Sequence, residues 1–208
     1  MKRVIFTGFF GITNKQASHY TKMWNGLGYN VDYEPYNIMD VLLFKKKYIN
    51  RKIIPKVQHY DVVYSISGGC FHMSNILLAN KHITYDKVIF DSGPYSYNTK
   101  HLEHYVNEKY LFKYKLNHIP VDTIINKFYQ FRKIDLALYN KNYNDNFIST
   151  SKPTLLLTYK NDNIIVKPYI DQLVLSNTHH YEFEKGEHAN LYRTNPQLYI
   201  DIIKKFVC

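Results

Sequence analysis

Short apolar runs alternate with amphipathic stretches along the whole chain, a pattern typical of parallel strands that are joined by helices. The apolar runs that predict strands lie at residues 2–7, 29–34, 61–66, 87–91, 153–159 and 179–184. The stretches that predict helices lie at residues 14–27, 38–58, 69–79, 99–116, 121–139, 167–176 and 196–206. The sequence therefore predicts an α/β fold, a three-layer sandwich of about six mostly parallel strands with helices on both faces.

Turn and cap residues mark several of these boundaries. Asn14 is expected to cap the first helix and Gly28 to end it. Asn195 is the expected cap of the last helix, because Pro196 then takes the first helical position. The helix predicted at 38–58 is broken near its end by Pro55.

Residues 95–150 contain no clear strand. Apolar residues recur there at helical spacing, for example Ile124, Phe128 and Phe131. No repeat, flexible linker or change of composition marks a second domain. We therefore expect one domain over residues 1–208, in which 95–150 forms a helical cap over the strand ends. Pro94 and Tyr95, where this segment begins, are expected to line a substrate pocket.

The composition of the 208-residue chain, with 45% hydrophobic and 21% charged residues, is that of a globular protein. No apolar stretch is long enough to predict a transmembrane helix. The basic start is broken by Gly8 and Gly11, so a signal peptide is not expected.

Two cysteines, Cys70 and Cys208, do not make a disulfide framework, which favours a cytoplasmic location. The abundance of Tyr, Asn, Ile and Lys points to an AT-rich genome, such as that of a large DNA virus or a protist, and so to a host cell.

The formal net charge is +10, which could attract nucleic acid, anionic lipid surfaces or acidic substrates. The lysines are scattered, however, and the tight run is Lys45–Lys47, so a lysine-rich coding bias also accounts for the charge. No nucleic-acid recognition motif is present, and no specific nucleic-acid partner is expected. Peripheral association with an anionic membrane stays open.

The segment Ser65-Ile66-Ser67-Gly68-Gly69 lies between a predicted buried strand and a helix. Small residues two places before and after a serine let the chain turn sharply, so that the hydroxyl stands exposed above the sheet. The usual pattern has glycine at the first position, where this chain has Ser65. Taken alone, such a segment is more often an ordinary turn than a nucleophile.

Two further residues change this interpretation. Asp162 follows the strand at 153–159, and His188 follows the strand at 179–184. A serine needs a base to take its proton, and the base needs a carboxylate to orient it. Ser67, Asp162 and His188 occur in the order used by α/β-hydrolases, each at a strand end. The carboxyl ends of parallel strands share one edge of the sheet. Asp91, one strand earlier, is the alternative acid.

The loop Thr7-Gly8-Phe9-Phe10-Gly11 follows the first strand, where hydrolases place one amide donor of the oxyanion hole. The amide of Phe9 or Phe10 is the expected first donor, and that of Gly68 the second. Core packing is the competing explanation for the two phenylalanines.

The segments GFFG, GLGYNV, SISGG, VIFDSGP, TYKNDNIIV and EHANLYRTNPQLY resemble the eukaryotic family of unknown function typified by transmembrane protein 53. The resemblance covers residues 4 to 206. It implies an α/β-hydrolase-like fold, and Ser67, Asp162 and His188 match the family's presumed triad positions.

Together these features predict a serine hydrolase that cleaves an ester or thioester of an acyl or lipid substrate, without metal or organic cofactor. The alternative is a catalytically silent scaffold of the same fold that binds a host or cellular protein. Cys70 is expected to be a small buried residue. Because adjacent residues of a strand face opposite sides, His179 and His180 are not expected to bind one metal together.

Overall fold

The computed structural model describes residues 1–9, 11–35, 57–93, 120–131, 152–162, 164 and 177–208. The strands are β1 (Arg3–Thr7), β2 (Asn30–Tyr33), β3 (His59–Ile66), β4 (Thr84–Asp91), β5 (Thr154–Tyr159) and β6 (Thr178–Phe183). The helices are α1 (Asn14–Gly26), α2 (Gly69–Ala79), α3 (Val121–Phe131), α4 (Leu191–Thr194) and α5 (Pro196–Val207).

The six strands form one sheet in the order β2-β1-β3-β4-β5-β6, and every neighbouring pair is parallel. The chain moves outward from β1 to β2 and then crosses back to place β3 on the other side of β1. Open α/β sheets bind ligands at such a reversal, beyond the carboxyl ends of the strands. The loop after β1 and the turn after β3 meet at this point.

Apolar side chains explain why the inner strands are buried. β1, β3 and β5 are almost wholly buried, whereas the edge strand β6 is largely exposed. Aromatic rings fill one side of the sheet: the ring of Phe6 stacks on that of Tyr64 at 5.1 Å, and Trp24 meets Tyr64 edge-on at 5.4 Å. This packing fixes β1 against β3 and so fixes the two segments that carry the candidate chemistry.

The ends of two helices differ from the prediction. Thr13, rather than Asn14, caps α1, because its hydroxyl accepts from the amide of Gln16 while the Gln16 side chain accepts from the Thr13 amide. The side chain of Asn195 does not cap α5, since it donates to the carbonyl oxygen of Lys185. Gly28 follows α1 with a φ of 85°, as a helix-ending glycine does.

Some predictions lie outside the described residues. They are the helices at 99–116 and 167–176, the helix at 38–58 except for its last two residues, which form a bend, the part of 121–139 beyond Phe131, and nearly all of the predicted cap at 95–150. Of residues 95–150, the structure describes 120–131, which contain α3, and there Ile124 and Phe131 are 56% and 84% exposed. No helix within the described ranges is long and apolar enough to cross a membrane.

Candidate active site

Ser67 occupies a sharp turn between β3 and α2. Its φ is 49°, in the left-handed region that non-glycine residues rarely adopt and that costs about 1–3 kcal/mol. The Ser67 amide donates to the carbonyl oxygen of Asp91 at 2.8 Å, and the Ser67 carbonyl accepts from Cys70 at 3.0 Å. Ser67 thus lies in a sharp turn between a strand and a helix, as the sequence predicted, and residues 65–69 are called the elbow.

Small residues on both sides of Ser67 make this turn sterically feasible. A Cβ atom added at Gly69 would collide with the carbonyl oxygen of Gly8 and lie 2.8 Å from that of Thr7. Glycine is therefore required at position 69. Ser65 is fully buried, with its hydroxyl 3.0 Å from that of Thr7. This hydrogen bond explains how serine is accommodated where glycine is usual.

His188 lies in the turn between β6 and α4. The Asn190 amide donates to the carbonyl oxygen of Glu187 at 3.0 Å and closes the turn. Ala189 takes a φ of 60°, and its methyl group is buried in the core. The hydroxyl of Tyr20 donates to the Ala189 carbonyl at 3.4 Å. The residue beside His188 is thus anchored, which fixes the direction of the imidazole.

A chain of hydrogen bonds joins the three predicted residues. The distance from Ser67 Oγ to His188 Nε2 is 2.6 Å, and that from His188 Nδ1 to Asp162 Oδ2 is 2.9 Å. The other Asp162 oxygen accepts from the amide of Ile164 at 2.9 Å. An ionised carboxylate only accepts, so Nδ1 carries the imidazole proton and Nε2 accepts from the serine hydroxyl. The arrangement can take a proton from Ser67 and stabilise the resulting imidazolium.

The carboxyl group of Asp91 contacts Tyr199 and Ser92 rather than His188. Its Oδ2 accepts from the hydroxyl of Tyr199 at 2.6 Å, and its Oδ1 accepts from that of Ser92 at 2.8 Å. The Tyr199 oxygen is also 2.7 Å from that of Tyr64. Burial raises the pKa of Asp91 from 3.8 to about 6, although the hydrogen bonds from Tyr199 and Ser92 oppose this shift. The structure therefore brings Asp162, and not Asp91, to His188.

Tyr199 is a residue that the sequence did not single out. Its segment, NPQLY, lies at the start of the last helix, which the sequence predicted. Nothing in the spacing indicates that the hydroxyl meets a carboxyl group 108 positions earlier in the chain.

The loop after β1 lies against the elbow, as the contact between Gly8 and Gly69 shows. Gly68 is buried and precedes the first residue of α2. Within the described part of the chain, the amides of Phe9 and Gly68 donate to no other group. The half-buried side chain of Phe9 packs against the core, so packing also accounts for this residue. Phe10 lies outside the described residues.

The remaining candidates are placed as follows. Pro94 and Tyr95 fall outside the described residues. Cys70 is buried, and its burial raises the pKa of the thiol, which disfavours the nucleophilic thiolate. His180 hydrogen-bonds to Thr158 at 2.8 Å, while the ring of His179 meets that of Phe206 at 5.8 Å. Among the described residues, no group of three His, Cys, Asp or Glu side chains is arranged to hold a metal ion.

No protein-family model matches the sequence, and no curated protein matches it. Solved structures do match. An extracellular α/β-hydrolase from a Paenibacillus species is 14% identical, with a TM-score of 0.60 over 99% of both chains. A Pyrococcus furiosus esterase is 17% identical, with a TM-score of 0.58 over 99% of this chain and 81% of the other. A thioesterase domain from the curacin biosynthetic pathway is 11% identical, with a TM-score of 0.57 over 97% and 90%. At these identities the likeness is one of fold, and it shows that the chain has an α/β-hydrolase-like fold.

Proposed function

We propose that this chain is a serine hydrolase that cleaves carboxylic esters or thioesters through an acyl-enzyme. The observation that carries the proposal is the hydrogen-bonded chain Ser67–His188–Asp162, with distances of 2.6 and 2.9 Å. Its serine sits in a strained left-handed turn, and backbone strain of this kind is concentrated at functional sites.

In the proposed reaction His188 accepts the Ser67 proton through Nε2 as the serine oxygen attacks the acyl carbonyl carbon. Asp162 stays ionised, keeps Nδ1 protonated and stabilises the imidazolium. His188 then gives its proton to the leaving alcohol or thiol, and the acyl group remains on Ser67. A water molecule that His188 deprotonates releases the acid and restores the serine.

The tetrahedral intermediates carry negative charge on the former carbonyl oxygen. The amides of Gly68 and of Phe9 or Phe10 are the proposed donors to this oxygen. Each such donor typically contributes about 2.7–4 kcal/mol to transition-state stabilisation. The proposal is supported by the contact between the β1 loop and Gly69, and by the lack of other partners for the Phe9 and Gly68 amides among the described residues.

The proposed substrate class is an acyl or lipid ester, with Pro94, Tyr95 and the cap at 95–150 forming the acyl pocket. The apolar and aromatic residues of that segment support this assignment. The similar structures include an esterase and a thioesterase domain, so the fold accommodates both leaving groups. The motifs that resemble the transmembrane protein 53 family support the proposed membership of that family, and the abundance of Tyr, Asn, Ile and Lys supports the proposed origin in an AT-rich genome.

A cytoplasmic setting is part of the proposal. Both cysteines are free, Cys70 in the core and Cys208 at the surface, as in a reducing compartment. The charge of +10 is compatible with peripheral contact with anionic membranes.

The test compares purified wild-type protein with Ser67→Ala on 4-nitrophenyl butyrate, 4-nitrophenyl octanoate and a butyryl thioester. We expect kcat of the variant to fall by at least about a thousandfold, because the residual activity comes from binding and the oxyanion hole alone. Matching circular dichroism spectra exclude misfolding as the cause. Equal, background-level rates for two folded proteins would refute the hydrolase and favour the silent scaffold that binds a host or cellular protein.

A further inference from the structure

A cleft of about 600 Å³ opens beside the candidate active site. One wall includes Phe9, from the loop proposed to form the oxyanion hole, and Lys15 and His19 from α1. The opposite wall includes Asn190 and Arg193, which follow His188 in the chain. Tyr20, which also lines the cleft, donates to the carbonyl of Ala189, so the cleft adjoins the His188 turn directly.

The cleft has an excess of positive charge. Lys15 and Arg193 come from different helices and face the same space, and neither forms an ion pair with another described residue. The described lining residues include no Asp or Glu. The nearby carboxylate of Glu187 accepts from the side chain of Asn190 at 3.0 Å. Arg3 and Lys160, by contrast, form ion pairs with Asp32 and Glu184.

Two cations that face one cleft favour a ligand with concentrated negative charge, and phosphate is such a group, to which Arg and Lys both bind. The imidazole of His19, one helical turn from Lys15, offers a further donor. The aromatic rings of Phe9 and Tyr192 add an apolar surface beside these charges. The donors flank a half-open cleft between α1 and α4, and we expect a cleft of this volume to take a small phosphorylated molecule rather than a long polyanion.

The position of the cleft indicates which part of a substrate it would bind. In the proposed reaction His188 gives its proton to the leaving group, and the cleft, which Asn190 lines, lies next to the turn that carries His188. We propose that the cleft binds a phosphate carried by the alcohol or thiol portion of the substrate. This inference rests on the proposed hydrolase function and narrows it to phosphate-bearing acyl esters and thioesters.

The test uses two soluble esters that differ in one group, 1-butyrylglycerol 3-phosphate and 1-butyrylglycerol, with butyrate release as the readout. We expect kcat/KM to be about tenfold higher for the phosphorylated ester, since one or two partly exposed charge contacts contribute on the order of a factor of ten. Arg193→Gln and Lys15→Gln should each lower this preference about threefold, mainly through KM. Lys204→Gln, which removes a charge from the last turn of α5, is the matched control and should preserve the preference.

A binding measurement separates this inference from the hydrolase proposal. Glycerol 3-phosphate is titrated calorimetrically into Ser67→Ala, with and without Arg193→Gln. Binding that Arg193→Gln weakens supports the phosphate site even if neither ester is hydrolysed, an outcome that would refute only the hydrolase. Equal kcat/KM values for the two esters would overturn the inference. So would a preference that Lys204→Gln lowers as much as Arg193→Gln does. Neither result would contradict the proposed hydrolase function.

A third substrate identifies the source of the phosphate. A long-chain acylglycerol 3-phosphate in mixed micelles presents the same group on a lipid. A preference for it over the butyryl compound supports a phosphate site for a lipid headgroup, and the reverse supports a phosphate site for a soluble ester.

Discussion

The amide of Ser67 donates a hydrogen bond of 2.8 Å to the carbonyl oxygen of Asp91. This bond extends the β3–β4 pairing one residue beyond Ile66, whose partner in the ladder is Asp91. The Asp91 carboxyl group is engaged separately, with Tyr199 and Ser92. The main chain of Asp91 therefore supports the elbow, while its side chain belongs to the core. It follows that the two acids near the site have different roles.

Substitution of the two acids by asparagine should separate these roles. Asp162→Asn should lower kcat by about ten-thousandfold, because the amide no longer holds the correct imidazole tautomer. Asp91→Asn should retain at least about a tenth of wild-type kcat, since its side chain does not contact His188 and a lost neighbouring charge has only a modest effect. Ester hydrolysis by the two folded variants is the measurement. The opposite order of activities would make Asp91 the acid of the triad.

Asp91 should also make the folded state less stable as the pH rises. Burial raises its pKa from 3.8 to about 6, so the folded protein binds this proton more tightly than the unfolded chain does. The resulting stabilisation is fully present below pH 3.8 and is lost as the pH rises through about 6. Two pKa units correspond to about 3 kcal/mol, and Asp91→Asn lacks this contribution.

Urea unfolding of wild type and Asp91→Asn at several pH values between 4 and 7 measures the effect. The free energy of unfolding of the variant relative to wild type should rise by about 2 kcal/mol across this range, most of the full effect. Other carboxylates titrate equally in both proteins and cancel in the difference. A difference that does not vary with pH would show that the buried carboxyl has an ordinary pKa.

Gly69→Ala should damage the elbow. The added methyl group would press on the main-chain oxygens of Thr7 and Gly8, which cannot move aside as a flexible side chain can. We expect a loss of about 1–3 kcal/mol in the free energy of unfolding. We also expect activity to fall by about a hundredfold, because small displacements of a nucleophile are costly.

Gly26→Ala is the matched control, since a Cβ atom at Gly26, at the end of α1, meets nothing within 4 Å. This variant should be as stable as wild type or gain up to about 1 kcal/mol, with unchanged activity. If Gly69→Ala and Gly26→Ala had the same stability and activity, the loop after β1 would not lie as close to the elbow as the structure places it.

The sequence was sufficient to predict the parts of the fold that follow from local pattern. The apolar runs placed all six strands, and α2 begins and ends where it was predicted, at Gly69 and Ala79. β4 begins earlier than predicted, at Thr84, because its first half alternates between exposed and half-buried residues. The cap of α1 was misplaced by one residue, since Thr13 and Asn14 are both good caps and the reciprocal bonds with Gln16 decide between them.

The candidate triad could be anticipated because chemistry restricts it to serine, histidine and an acid at strand ends in a fixed order. Contacts between segments that are distant in the sequence could not be anticipated in this way. The pairing of Asp91 with Tyr199 and the convergence of Lys15 with Arg193 depend on how α5, α1 and α4 pack, which no local pattern encodes. Because the lysines are scattered along the sequence, the sequence does not indicate that Lys15 and Arg193 face the same cleft.

The most direct test of the central claim is covalent labelling of Ser67. The folded wild-type protein is treated with a fluorophosphonate probe, which reacts with serines that a neighbouring base activates. Mass spectrometry of the digested protein then locates the adduct. The account predicts one adduct on Ser67 in the wild type, and none in Ser67→Ala at matched fold and concentration. Absence of labelling in the folded wild type, or equal labelling of the variant, would contradict the assignment of Ser67 as the nucleophile.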